Sequence, residues 1–141
     1  MAANFLIDTG AILAILDQND RWHSVCVNCF TQLRLPAVTS EAVLTETFHL
    51  VGRSRTDVNK VWQFFSSGSI LLVTIEGSEL AAIRELMNRY RDRRMDFADA
   101  TLVYLASREG IQAVLTIDQT DFSVYRIAGR RRFHVLPADR P

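Results

Sequence analysis

The first sign of the fold is the stretch Phe5-Leu6-Ile7-Asp8-Thr9-Gly10-Ala11. Its opening apolar run, extended back to Asn4, predicts a short buried strand, and Asp8-Thr9-Gly10 predicts a tight turn into a helix that covers Ala11 to Leu16. Asp8 therefore stands where a buried strand ends. A carboxylate is costly to keep charged in such a place unless it has a partner.

Short apolar runs and helical segments alternate along the rest of the chain. Further strands are predicted at Ala37 to Thr39, Ile70 to Ile75, Ala113 to Ile117 and, as a last edge strand, Phe133 to Leu136. Helices are predicted at 20–33, 40–52, 57–65, 78–90 and 96–109. Strands separated by helices need crossover connections, which predicts a parallel sheet covered on both faces. The continuous run from Ile70 to Ile75 is typical of a strand buried on both faces.

Length and composition indicate one domain spanning residues 1–141, with 48% hydrophobic and 23% charged residues. No apolar run approaches the roughly 18 to 20 residues that a membrane span needs, and no signal peptide is expected, so a cytoplasmic protein is predicted. Cys26 and Cys29 have no second cysteine pair to complete a zinc site, and we interpret them as buried thiols. The three histidines are not spaced for zinc.

The formal net charge is zero, but the basic residues are unevenly placed. Fifteen of the sixteen are arginines, and two clusters stand out: Arg84, Arg89, Arg91, Arg93 and Arg94, and then Arg126, Arg130, Arg131 and Arg132. Guanidinium groups suit phosphate oxygens, so these clusters could hold an RNA backbone without reading its sequence. A solvated, ion-paired surface is the alternative interpretation.

Carboxylates lie at strand ends or on the apolar faces of helices in four separate segments. Asp8 and Asp118 end two predicted parallel strands, and ligands bind beyond the carboxyl ends of such strands. Glu46 shares a helix face with Val43 and Leu50, and Asp99 faces the core side of its helix. Each also has a simpler explanation: Asp8 and Asp96 suit helix caps, Asp118 and Asp121 suit a turn, and Glu46 could pair with an arginine.

As a set, these carboxylates predict a metal site. Converging carboxylates raise one another's pKa unless positive charge is supplied, and hard divalent cations with oxygen ligands supply it. Such an ion can activate water and neutralise charge on a phosphate that is being displaced. This chemistry requires no histidine, serine or cysteine.

At these residues the chain resembles the PIN-domain ribonucleases, specifically the VapC-type toxins of toxin–antitoxin pairs. Four segments carry the resemblance, in the family's order and over nearly the whole chain. They are Phe5-Leu6-Ile7-Asp8-Thr9-Gly10-Ala11, Thr39-Ser40-Glu41-Ala42-Val43-Leu44-Thr45-Glu46, Met95-Asp96-Phe97-Ala98-Asp99-Ala100 and Leu115-Thr116-Ile117-Asp118-Gln119-Thr120-Asp121-Phe122.

The resemblance implies a three-layer α/β/α sandwich with a short, mostly parallel central sheet. It also implies a Mg²⁺- or Mn²⁺-dependent endoribonuclease that cleaves single-stranded or structured RNA by attack of metal-activated water. Asp8 and Asp99 would be the principal metal ligands, with Asp118 as a further ligand and Asp121 as its possible substitute. Glu46 would complete the acidic quartet (Asp8, Glu46, Asp99, Asp118) through a water or a second ion. Thr9, Thr116 and Asp96 would support the site.

The family further implies a homodimer and a small antitoxin protein that wraps the toxin and blocks its acidic pocket. A catalytically weak module of the same fold, which binds RNA or protein, is the alternative, although such a module would gain nothing from repulsion among four carboxylates. A phosphatase with Asp8 as nucleophile would need a second Asp two residues on, and position 10 is glycine.

Overall fold

The computed structural model describes residues 5–53 and 56–141. In chain order its strands are β1 (Phe5–Ile7), β2 (Ala37–Ser40), β3 (Ile70–Val73), β4 (Ala113–Leu115), β5 (Arg126–Ile127), β6 (Arg131–Arg132) and β7 (His134–Leu136). Five of them form a sheet in the order β3-β2-β1-β4-β7, and every neighbouring pair in it is parallel. The other two, β5 and β6, form an antiparallel hairpin. Asn4, which the sequence assigns to the first strand, lies outside the described residues.

Helices cover both faces of this sheet. Every residue of β1 and of β2 is buried. Because successive side chains of a strand point to opposite faces, complete burial requires packing on both sides. The predicted three-layer α/β/α architecture is thereby confirmed. The sheet supplies much of one apolar cluster, to which Phe5, Leu102 and Leu115 belong.

Seven α-helices lie within the described residues, and local signals set the ends of several. They are α1 (Thr9–Leu16), α2 (His23–Gln32), α3 (Glu41–Val51), α4 (Val58–Ser66), α5 (Leu80–Arg89), α6 (Phe97–Glu109) and α7 (Gln119–Val124), with single-turn 3-10 helices at Gly77–Glu79 and Arg91–Arg93. Ser40 and Asp96 cap α3 and α6 with their side chains, as predicted. Gly110, at φ 68°, ends α6 in the left-handed conformation that glycine adopts readily. No helix within the described ranges is both long and apolar enough to span a bilayer.

Some predictions of local structure are wrong. The run from Ile70 to Ile75 forms β3 only as far as Val73, at the edge of the sheet, and Leu71 and Leu72 are 47% and 39% exposed. An apolar run alone does not distinguish an edge strand from a central one. Asp20 does not cap α2, because its carboxylate accepts the N–H of Trp22 in the turn before that helix. The helix α7 and the hairpin β5–β6 were not predicted.

The topology creates a crevice beside β1. From β1 the chain builds outward to β2 and β3 on one side, and later to β4 and β7 on the other. The direction in which strands are added therefore changes between β1 and β4. In parallel sheets, ligands usually bind at the carboxyl ends of the two strands on either side of such a change. Asp8, the first residue after β1, donates its N–H to Leu115 O of β4 at 3.0 Å. The acidic end of β1 is thus held directly against the end of β4.

Candidate active site

Three carboxylates converge at this crevice. Asp8, Asp99 and Asp118 can each offer one oxygen so that the three atoms lie within 4.8 Å of one another. They come from the end of β1, the first turn of α6 and the segment after β4. Asp8 is buried, Asp99 is half-buried and Asp118 is exposed, so the group extends from the protein interior to the surface. We call this set the three-carboxylate group.

Asp8 is the buried member and is held by two donors. Its Oδ1 accepts the N–H of Thr9 at 2.8 Å, and its Oδ2 accepts the hydroxyl of Thr116 at 2.9 Å. Burial raises the pKa of Asp8 to about 7, although both hydrogen bonds oppose this rise; the charges of Asp118 and Glu46 add to it. Without nearby positive charge, Asp8 is therefore largely protonated in mildly acidic solution.

Thr116 joins two members of the group. It is fully buried, and the same hydroxyl that donates to Asp8 accepts the N–H of Asp118 at 3.0 Å. One side chain therefore fixes the Asp8 carboxylate and the backbone from which Asp118 projects. Thr9 is also buried, and its hydroxyl has no hydrogen-bond partner among the described residues.

Asp99 is oriented from two sides. Its N–H donates to the capping carboxylate of Asp96 at 2.8 Å, and its Oδ2 accepts the hydroxyl of Tyr125 at 3.3 Å. Burial raises the pKa of Asp99 to about 8, assisted by the charges of Asp8, Asp96 and Asp118. The pKa of Asp118 is also raised, first by partial desolvation of its carboxylate beside the fold and then by the charges of Asp121 and Asp96.

A chain of hydroxyls fixes α3 against α6. Thr101 donates to Ala98 O at 2.6 Å, so its single proton is committed there. Ser40 must then be the donor in its 2.8 Å hydrogen bond to Thr101, while Ser40 Oγ accepts the N–H of Val43 at 3.2 Å. The start of α3 is thereby tied to the first turn of α6.

Glu46 projects from α3 and does not belong to the three-carboxylate group. It is partly buried, and its charge still contributes to the raised pKa of Asp8. It lines a groove of about 710 Å³, together with Asp96, Phe97 and His49. The groove therefore adjoins the acidic crevice on its α3 side.

Asp121 lies outside the group as well. Its Oδ1 is 3.3 Å from Nη2 of Arg93, and both side chains are partly exposed. The sequence left open whether Asp118 or Asp121 faces the other carboxylates, and the structure brings Asp118 to them. The catalytic roles assigned to these residues from the sequence remain predictions.

Sequence reasoning did not find Arg93 or Tyr125 as neighbours of the site. Arg93 is one arginine among several in a cluster, and nothing in the spacing pairs it with Asp121. Tyr125 follows the short helix α7, itself unpredicted, so its approach to Asp99 had no local signal. Both are long-range contacts: Asp121 of α7 pairs with Arg93, and Tyr125, just after α7, donates to Asp99 of α6.

The residues present fit a hard divalent cation. Their donors are carboxylate oxygens, the ligand type that Mg²⁺ prefers. None of the ion pairs that the structure gives between described residues involves Asp8, Asp99 or Asp118. Burial and the charges of nearby carboxylates raise the pKa of all three. A bound cation would offset this repulsion.

Comparison with known proteins gives concordant matches. Residues 5–128 match the family model of the PIN domain. Ribonuclease VapC26 of Mycobacterium tuberculosis (strain ATCC 25618 / H37Rv) is 31% identical to the chain over 135 residues, which is 94% of this chain and 99% of that protein. The crystal structure of Mycobacterium tuberculosis VapC20, a sarcin–ricin loop cleaving toxin, matches with a TM-score of 0.76 at 20% identity, over 98% of this chain and 100% of that chain. This last likeness concerns the fold.

Proposed function

The chain belongs to the PIN-domain family, among its VapC-type ribonucleases, and we propose that it is a Mg²⁺- or Mn²⁺-dependent endoribonuclease acting as the toxin of a toxin–antitoxin pair. The observation that carries this proposal is the convergence of Asp8, Asp99 and Asp118 from three distant segments. Each is costly to ionise where it stands, and together they suit a cation. We propose that residues 1–141 work as one nuclease domain.

In this proposal Asp8, Asp99 and Asp118 would hold the cation. When bound, the ion would supply positive charge beside the scissile phosphate and make the attacking water more acidic. The surrounding residues have orienting roles: Thr9 and Thr116 fix both oxygens of Asp8. Glu46 would act through water from α3, since it does not reach the three-carboxylate group.

An arginine surface would hold the RNA backbone. Arg89 and Arg91 line one shallow depression, and the guanidinium of Arg89 lies so close to Gly129 that a Cβ there would be 3.5 Å from its Nη1. One arginine of the first cluster therefore lies against the turn of the hairpin whose sequence carries the second cluster, at the residue before Arg130. We call Arg89, Arg91 and Arg130 the arginine surface.

Neighbouring acidic residues and hydrogen bonds limit which arginines would contact RNA. Glu85 and Asp92 share the depression, so its positive charge is partly offset. Arg126 is excluded, because its Nη1 donates to the carbonyls of Ser123, Val124 and Tyr125 and so completes the end of α7. Phosphate contacts from the arginine surface would position RNA without reading its sequence.

Further parts of the proposal concern partners and location. The groove beside Glu46 carries Glu41 and Asp96 along with the apolar Leu80 and Phe97. An acidic and apolar groove suits a basic amphipathic segment, which we assign to the antitoxin. We also propose a homodimer and a cytoplasmic location, where RNA substrate is present.

Metal-dependent cleavage of RNA tests the function. Purified protein would be incubated with a mixed RNA pool in Mg²⁺, in Mn²⁺ or in EDTA, alongside Asp8→Asn and Asp99→Asn. We expect cleavage by the natural chain in either metal, and none in EDTA or with either variant. Asp57→Asn is the matched control, because Asp57 is an exposed helix cap on α4 whose function asparagine also performs.

Two results would contradict the proposal. Cleavage that persists in the chelator and in both site variants would refute a metal mechanism at these residues. RNA binding by the natural chain with no cleavage under any condition would instead favour the alternative, a binding module of the same fold.

The arginine surface has its own test. In the cleavage-inactive Asp99→Asn background, Arg89→Ala with Arg130→Ala would weaken binding to single-stranded RNA. Loss of two phosphate contacts should reduce the slope of log K against log salt by about 1.4. Arg21→Ala, an exposed arginine elsewhere, is the control. An unchanged slope in the double variant would place the RNA path on another face.

A further inference from the structure

Tyr125 lies directly beneath the three-carboxylate group. Its side chain is fully buried, and its ring is fixed by edge-on contacts with Tyr90 and Phe122, at centroid distances of 5.0 and 5.2 Å. Its hydroxyl donates to Oδ2 of Asp99 at 3.3 Å. A rigid aromatic platform thus presents one donor to a carboxylate of the site.

Asp99 depends on this donor more than Asp8 depends on either of its own. Asp8 accepts one hydrogen bond on each oxygen. For the Asp99 carboxylate, the Tyr125 hydroxyl is the one donor that the structure gives among the described residues. The charged groups that act on Asp99 are the carboxylates Asp8, Asp96 and Asp118, which repel it. Without Tyr125, repulsion would favour rotation of Asp99 away from the group.

We infer that Tyr125 is a positioning residue that holds the Asp99 carboxylate in the conformation needed to bind the divalent cation. The inference rests on the proposed function, since it presumes a cation at the three-carboxylate group. The hydroxyl donates to Oδ2, and no described residue donates a hydrogen bond to Oδ1. Hydrogen-bond partners of metal ligands commonly contribute 10–100-fold to metal affinity or activity.

The test is the affinity for Mn²⁺, measured by titration calorimetry without RNA. Tyr125→Phe keeps the ring contacts and removes only the hydroxyl. We expect Tyr125→Phe to weaken Mn²⁺ binding about 10- to 100-fold. Tyr90→Phe is the matched control: it removes a hydroxyl from the same aromatic stack, one that accepts the N–H of Arg126 and does not touch Asp99.

A kinetic measurement separates positioning from a general loss of structure. In RNA cleavage, the Mn²⁺ concentration for half-maximal rate should rise for Tyr125→Phe by the factor seen in binding. At saturating Mn²⁺ its rate should return towards that of the natural chain. A merely destabilised protein would instead lose rate at every metal concentration.

A double-variant cycle completes the test and guards against misfolding of one variant. If Tyr125 acts through Asp99, then Tyr125→Phe in the Asp99→Asn background should weaken Mn²⁺ binding no further. Equal affinity of the natural chain and Tyr125→Phe, with Asp99→Asn impaired, would overturn the positioning role alone. Absence of Mn²⁺ binding by the natural chain would instead refute the proposed metal site.

Discussion

At the scale of single residues, the site depends on one threonine that serves two carboxylates. Thr116 donates to Asp8 and accepts from the backbone of Asp118, and it does both from a fully buried position. A buried group left without its hydrogen-bond partner costs about 1–3 kcal/mol. The stability of the protein and the geometry of the site therefore depend on the same hydroxyl.

We predict that Thr116→Val lowers the free energy of unfolding by about 1–3 kcal/mol and weakens Mn²⁺ binding, because two groups lose their partner. Thr116→Ser keeps the hydroxyl and should retain most of both properties. Urea denaturation without metal and Mn²⁺ titration measure the two effects. A valine variant that binds Mn²⁺ as tightly as the serine variant would show that Thr116 serves packing alone.

The site residues differ in how visible they are in the sequence. Asp8 and Asp99 stand out because a carboxylate next to apolar residues needs an explanation. Asp118 and Asp121 cannot be separated by spacing, since both occupy one turn. The distinction comes from long-range contacts: Thr116, which accepts the N–H of Asp118, donates to the distant Asp8, whereas the Asp121 carboxylate pairs with the distant Arg93.

At the scale of elements, the close approach of α1 to the segment after β4 brings Asp8 and Asp118 together. Gly10 permits this approach: a Cβ on Gly10 would lie 2.6 Å from Cγ1 and 2.7 Å from Cδ1 of Ile117. Ile117 immediately precedes Asp118. Any displacement of its side chain and backbone would shift one of the three carboxylates.

We predict that Gly10→Ala lowers the melting temperature and weakens Mn²⁺ binding, because the added Cβ would clash with Ile117. This effect should outweigh the higher helix propensity of alanine, which is worth up to about 1 kcal/mol relative to glycine. The matched control is Gly77→Ala, since a Cβ on Gly77 would meet nothing within 4 Å. Calorimetric melting and Mn²⁺ titration of both variants measure the effect. If Gly10→Ala were more stable and bound Mn²⁺ with unchanged affinity, the Ile117 side chain would be able to move aside without disturbing Asp118.

Elements were predictable where their signals are local. The ends of α6 follow from the capping side chain of Asp96 and from Gly110, both adjacent to the helix they delimit. The exposure of β3 depends on its place at the edge of the sheet, and the hairpin β5–β6 pairs residues with little apolar pattern. Neither property is contained in a local stretch of sequence.

At the scale of the whole molecule, a net charge of zero conceals a separation of charge. Carboxylates gather where the order of strands reverses, and Arg89 of the first arginine cluster lies against the hairpin turn at Gly129. The sequence predicted the sheet, its covering layers and three of the four carboxylates that it expected to converge; Glu46, the fourth, lies outside the group. It could not predict that Arg89 lies against the hairpin turn, because that contact joins residues far apart in the sequence and follows from tertiary packing.

This concentration of carboxylates makes the stability of the metal-free protein depend on pH. The pKa of Asp8 is raised from 3.8 to about 7 and that of Asp99 to about 8, chiefly by burial. Between pH 3.8 and these values the folded state binds more protons than the unfolded state. The stability that comes from this proton binding is fully present below pH 3.8 and is lost as pH rises through 7 and 8.

We therefore predict that the metal-free protein melts at a lower temperature at pH 8 than at pH 6. One unit of pKa corresponds to about 1.4 kcal/mol, so a fall of several degrees is expected. Saturating Mn²⁺ should raise the melting temperature more at pH 8, because the ion binds the deprotonated carboxylates. Asp8→Asn and Asp99→Asn should each flatten the pH profile, whereas Asp57→Asn should keep the slope of the natural chain. Scanning calorimetry at both pH values, with and without Mn²⁺, measures these effects. A metal-free protein that is more stable at pH 8 than at pH 6 would show that these carboxylates already have a positive partner within the fold.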